Sequence, residues 1–299
     1  VRTSLVALTA LSAFVALSAL TTLGCSGSRG RGSREQEMSL PGIDTEDLTS
    51  REHAAWWRLV NELYAPCPEQ AVTLAACVRE SRACAACKPG AELLVSRVRA
   101  GFVGEDARRA FEARFTRERL PIDSAGSPSK GAEDAPVTVV VWSDFECPHC
   151  RLAMPLLEAA FEKQSPKVRL VHKFYPLPAH PHAEPAARAA IAALNQGRYW
   201  EMERLLFNNQ RALEAADITR YARSLDLDMT RFEADLVSPE TSAHLERDRA
   251  AGKAAKIAGT PHIVVNGRRF ELGLFRLEED LGPWIELDVA LAAERVTKP

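Results

Sequence analysis

The feature that most limits what this chain can fold into is a β-branched run that ends in a cysteine pair. Val137-Thr138-Val139-Val140-Val141-Trp142 lacks polar alternation, which marks a strand covered on both faces. The run leads straight into Asp144-Phe145-Glu146-Cys147-Pro148-His149-Cys150. Leu152 to Gln164 then has helical composition, and Val168 to Phe174 reads as a second strand. Strand, helix, strand is a βαβ unit. Open α/β sheets place their chemistry at the carboxyl ends of strands, where this motif falls.

A thiol attacks a disulfide only as the thiolate, so a working cysteine needs a lowered pKa and some exposure. Pro148 suits a first helical position, which predicts Cys147 at the N-cap with unpaired backbone N–H groups aimed at its sulfur. His149 would add a positive or hydrogen-bond-donating neighbour. Cys150 lies about one turn inside the helix, more buried, as a resolving thiol should be. A stabilised thiolate stabilises the reduced form and makes the disulfide a stronger oxidant. A CxxC by itself would equally suit a structural disulfide or half of a zinc site.

Cys147-Pro148-His149-Cys150 resembles the active site of the DsbA family of thioredoxin-fold oxidases. The stretch around it resembles the DsbA-like thiol–disulfide oxidoreductases of exported bacterial proteins. The likeness continues through Pro155, Pro176-Leu177, His180-Pro181-His182-Ala183, Gln196 to Met202, Leu205-Leu206-Phe207 and Asn209-Gln210. It then reaches Gly259-Thr260-Pro261 and Asn266-Gly267-Arg268, and so covers about Val137 to Leu287. The resemblance implies an α/β, thioredoxin-like fold over 137–295 with a helical insertion at about 180–256, and a thiol–disulfide oxidoreductase activity. It also implies that the Thr260–Pro261 bond is cis and faces the cysteines, offering Thr260 backbone groups to a substrate strand. Cys147, Cys150, Pro148, His149, Thr260 and Pro261 are therefore the expected catalytic set. Thr260 resembles the isomerase and reductase branches as much as the oxidase, so the direction of electron flow stays open.

Ahead of this part, 45–120 shows helical periodicity: Trp56, Leu59, Val60 and Leu63; Ala91, Leu94, Val95 and Val98; Ala107, Ala110, Phe111 and Phe115. It reads as a small all-α domain with four cysteines, Cys67, Cys77, Cys84 and Cys87, joined to the α/β part by a Pro- and Gly-containing linker at 121–136. Two structural disulfides, a second redox pair, or a thiolate site for zinc or copper(I) all suit those four. The uncharged stretch Leu5 to Leu23 reads as a signal peptide over 1–24, with a permanent membrane helix as the competing reading. Thr22-Leu23-Gly24-Cys25 resembles a lipobox, which implies lipidation at Cys25 and a flexible tether over 25–44. Six cysteines beyond Cys25 suit an oxidising compartment.

A net charge of −2 and a pI near 6.4 exclude a nucleic-acid partner bound by phosphate neutralisation. No phosphate loop or nucleotide fingerprint is present, and the motifs call for no cofactor and no metal. His172, His180 and His182 could be imagined as a metal site. Asp144 and Glu146 read as solvated loop carboxylates, with a proton-handling role as the alternative. The whole implies an exported enzyme of the cell envelope or periplasm, lipid-anchored to a membrane. Its partners would be exported proteins with thiols or disulfides and a membrane redox protein. The rivals are a reductase or isomerase serving envelope redox or cytochrome maturation, and a metal-handling scaffold lipoprotein.

Overall fold

In the computed structural model, which describes residues 38–67, 69–121 and 123–297, the chain from Leu40 onward clusters as one unit. The expected signal peptide, Cys25 and most of the tether lie outside the described residues. No helix among those described is long and apolar enough to cross a membrane.

Four helices come first: α1 (Ser50–Glu62), α2 (Leu74–Arg79), α3 (Cys87–Arg99) and α4 (Glu105–Phe115). Thr49 starts α1 through a capping box with Glu52, each satisfying a backbone N–H of the other. Trp56, Leu59 and Val60 of α1 meet Ala91, Leu94, Val95 and Val98 of α3 in a core of their own. The helical periodicity in the sequence predicts these stripes. Trp56 is fully buried and donates its indole N–H to the Ala91 carbonyl at 3.1 Å, whereas Trp57 is half-buried beneath Arg79. Two disulfides, Cys67–Cys84 and Cys77–Cys87, staple this region. All four sulfurs are spent in these bonds, so in this form none is a metal ligand.

The α/β part holds a five-stranded sheet in the order β1-β3-β2-β4-β5. Its strands are β1 (Ser129–Lys130), β2 (Val137–Ser143), β3 (Val168–Phe174), β4 (His262–Val265) and β5 (Arg268–Phe270). β2 and β3 are parallel and joined by α5 (Pro148–Gln164); the other neighbours are antiparallel. Side chains alternate across a strand. Val137, Val139, Val141, Leu170, Ile263 and Val265 therefore enter the main core, while Val140, Trp142, Val171 and Val264 face the other layer. This explains why the sequence shows no polar alternation. Asn266 and Gly267 both have positive φ (48° and 78°), the geometry of a two-residue hairpin turn between β4 and β5.

Between β3 and β4 come α6 (Ala183–Leu194), α7 (Tyr199–Asn208), α8 (Ala215–Ser224), α9 (Met229–Leu236) and α10 (Pro239–Ala254); α11 (Leu277–Thr297) closes the chain. The expected fold class, a thioredoxin-like α/β fold with a helical insertion behind a cysteine-bearing helical region, is borne out. Segment 121–136 does more than span a gap, because β1 within it pairs with β3. Gly131 follows that strand with φ +92°, and a Cβ there would lie 2.3 Å from the Val168 carbonyl oxygen.

Buried ion pairs join the helical region to the α/β part. Arg97 of α3 reaches Asp280 of α11 at 2.6 Å. Arg114 of α4 and Arg268 of β5 converge on Asp288 at 2.9 and 2.5 Å, all three nearly inaccessible to solvent. A further buried pair, Lys173 with Asp248 at 2.8 Å, ties β3 to α10, and Asp248 also accepts the Phe174 N–H at 2.9 Å.

Candidate active site

β2 ends at Ser143, and the chain turns through Asp144, Phe145 and Glu146 before α5 begins at Pro148, with Cys147 as its N-cap. No side chain caps this helix, so its first N–H groups are left for the Cys147 sulfur. Cys147 and Cys150 are both free thiols, 4% and 0% exposed. Of the exposure that a working cysteine needs, Cys147 keeps only a small window of its surface.

The two thiols differ sharply in acidity. Cys147 is held down to about 5, first by the hydrogen bond from the Cys150 thiol, against the opposing effect of burial. The Thr260 side chain and the backbone N–H groups of Cys150 and His149 add to the lowering. Burial pushes the Cys150 thiol up, and the neighbouring Cys147 sulfur pushes it further. His149 contributes through its main chain; its ring is exposed, along with Pro148.

Thr260 and Pro261 come back to this sulfur from the far end of the insertion. Their peptide bond is cis, and the Cys147 thiol donates to the Thr260 carbonyl at 3.3 Å. The Thr260 hydroxyl is buried and has no hydrogen-bond partner among the described residues, which leaves it able to donate once Cys147 ionises. The structure thus brings Cys147, Cys150 and Thr260 together. Cys67, Cys77, Cys84 and Cys87 sit apart, in the core of the helical region.

The carboxylates ahead of the motif correct the expectation of solvated loop groups. Asp144 is 1% exposed and accepts the Glu146 N–H (2.7 Å), the Leu177 N–H (2.8 Å) and His180 Nδ1 (2.7 Å). Glu146, half-buried, accepts the His182 N–H at 2.8 Å. The two carboxylates therefore pin the 176–182 loop to the cysteine turn. His180 is raised by its bond to Asp144.

His172 is wholly buried, bonded to Ser143 and Tyr199, and burial lowers it to about 3, so it stays neutral. Among the described residues these histidines do not gather around a common centre. Sequence reasoning missed Gln210, whose amide donates to the carbonyls of Phe145 (2.8 Å) and Cys147 (2.9 Å) and fixes the turn from the insertion side. Asn209-Gln210 stood in the stretch that carried the resemblance, but nothing local in it pointed to this contact.

A curated relative, the Na(+)/H(+) antiporter NhaA 3 of Salinispora tropica, is 41% identical over 151 residues, which are 50% of this chain and 23% of that protein. The antiporter NhaA of Herminiimonas arsenicoxydans is 40% identical over 50% of this chain and 24% of its own length, so the chain spans about a quarter of these relatives. Among solved structures, a thioredoxin-like oxidoreductase from Silicibacter pomeroyi is similar, with 30% identity, 54% of this chain and 91% of that one covered, and a TM-score of 0.45. Residues 123–279 match the thioredoxin family. The match takes in β2, the helix that Cys147 caps and the Thr260–Pro261 turn, and by it the chain belongs to the thioredoxin family.

Proposed function

We propose that the chain catalyses dithiol–disulfide exchange on exported proteins, acting in the oxidising direction. The observation that carries this is the split between two neighbouring sulfurs, one held at about 5 and the other pushed up. In the oxidised enzyme a client thiolate attacks Cys147 Sγ and displaces Cys150, which takes a proton because its thiolate is poorly tolerated. A second client thiolate then attacks the client sulfur of the mixed disulfide, the client disulfide forms, and Cys147 leaves as a stable thiolate. The client loses two protons and two electrons and gains a disulfide; the enzyme gains both electrons. The low pKa of the leaving sulfur favours this direction.

Thr260 and Pro261 would form the platform beside which the client strand lies, with Asp144 and Gln210 as positioning residues that hold the cysteine turn. Export by residues 1–24, anchoring through a lipid on Cys25 at the start of the 25–44 tether, and reoxidation by a membrane redox protein belong to the same reading. So does the division into a helical region (45–120), a linker (121–136) and a catalytic part (137–295).

The test is Cys150→Ala, which removes the resolving thiol. Mixed disulfides between Cys147 and thiol-bearing clients should accumulate and be released by reductant. If Cys147 still alkylates readily yet no adduct forms, the roles assigned to the two sulfurs are wrong.

A further inference from the structure

The two disulfides of the helical region pass over a cysteine pair adjacent in sequence. Cys84-Ala85-Ala86-Cys87 is a second CxxC, yet Cys84 bonds to Cys67 and Cys87 bonds to Cys77. The sulfurs of Cys77, Cys84 and Cys87 nevertheless all lie within 4.8 Å of one another. The turn between Cys84 and Cys87 also repeats the active-site turn. The Cys87 N–H donates to the Cys84 carbonyl at 3.1 Å, as the Cys150 N–H does to the Cys147 carbonyl at 3.1 Å. In both places the second cysteine lies in the first turn of a helix, α3 or α5.

Access separates the four. Cys77, Cys84 and Cys87 are 1%, 8% and 3% exposed, whereas Cys67 is half-buried. An external thiolate therefore reaches the cluster at the Cys67 sulfur. Attack there expels Cys84, whose sulfur then stands just ahead of the N-terminus of α3, where negative charge is favoured. It also stands within reach of the Cys77–Cys87 bond, and a nucleophile held beside its target reacts far faster than one in free solution.

We propose that this cluster is a second thiol–disulfide exchange site, with Cys67 as its entry and Cys84 as an internal relay. An external dithiol, as thiolate, attacks Cys67 Sγ; the Cys67–Cys84 bond breaks and a mixed disulfide forms on Cys67. The freed Cys84 thiolate attacks Cys87 Sγ; the Cys77–Cys87 bond breaks, a Cys84–Cys87 bond forms, and Cys77 leaves and takes a proton. The second thiol of the external dithiol closes its own disulfide and frees Cys67. Two electrons and two protons have entered, and they rest on Cys67 and Cys77 with the CxxC disulfide closed. Cys147 takes no part, so this proposal stands or falls apart from the function assigned to that residue.

The experiment uses the full chain carrying Cys147→Ala and Cys150→Ala, so that the other pair consumes no reductant. The oxidised protein is treated with substoichiometric dithiothreitol, quenched in acid, alkylated and mapped by mass spectrometry of its peptides. In the two-electron-reduced fraction the label should fall on Cys67 and Cys77, with Cys84 linked to Cys87. Label on Cys67 and Cys84 with the Cys77–Cys87 bond intact, or any other pairing, overturns the proposal. A second variant, Cys67→Ser in the same background, removes the entry sulfur without any reductant. It should carry a Cys84–Cys87 disulfide and a free Cys77; a free Cys84 beside an intact Cys77–Cys87 bond has the opposite meaning.

Discussion

The acidity of Cys147 predicts how the potential of the active-site pair depends on pH. The perturbation is a pH series on the reduced and oxidised protein. Cys147 is brought from the ordinary 9.0 to about 5, so pH 7 lies two pH units above one value and two below the other. The thiolate fraction at pH 7 should thus be about 99%, against about 1% for an unperturbed thiol. The reduced state gains about 2.7 kcal/mol at pH 7, at roughly 1.36 kcal/mol per pH unit, or about 60 mV in a two-electron potential. The gain is complete above pH 9, is partial at neutrality, and is lost as pH falls through about 5. Because Cys150 keeps its proton, the reduced pair holds one proton above that break and two below it. The potential should therefore fall by about 30 mV per pH unit above the break and by about 60 mV per unit below it. Equilibration against a glutathione couple, read as the oxidised fraction after acid quench, measures the slope, and ultraviolet thiolate absorbance gives the break independently. A slope of about 60 mV per unit persisting toward pH 9 would refute the reasoning, since Cys147 would then be an ordinary thiol.

Further outcomes follow from buried groups. Glu203 is raised from 4.5 to about 8, chiefly by burial, so its charged form weakens the fold and stability should decline as pH rises from 4.5 toward 8. Glu203→Gln should remove most of that decline in urea unfolding at several pH values; an unchanged profile would show that the carboxyl is ionised without penalty. Lys173→Met leaves Asp248 buried without its ion-pair partner and should lower unfolding free energy by about 3–5 kcal/mol. A loss under about 1 kcal/mol by urea titration would mean that water reaches Asp248. Gln210→Ala removes both donors to the cysteine turn and should slow exchange through Cys147 severalfold at constant helical content; an unaltered rate would remove Gln210 from the positioning set.

How much of this was legible in the sequence depends on how local each cause is. The β2–α5 junction could be read because its determinants are neighbours: a β-branched run, a cysteine, and a proline suited to a helix start. The Asn266-Gly267 hairpin could be read for the same reason. What escaped depends on partners far along the chain. The burial of Asp144 requires the 176–182 loop, and the contacts of Gln210 require α7 to end beside the turn. β1 has only two residues and exists by its pairing with β3. The cysteine connectivity was open because spacing ranks no pairing above another, and the bonds found pass over the adjacent CxxC.

The seam around Asp288 bears on how this molecule can be handled in pieces. A fragment starting at β2 would keep Arg268 and Asp288 but lose Arg114 and expose the face of β5 on which α4 lies. A fragment ending at Phe115 would carry the cations Arg97 and Arg114 away from their carboxylates. Cutting within 121–136 therefore divides a shared foundation, and the thiol chemistry is best assayed on protein that retains both sides of it.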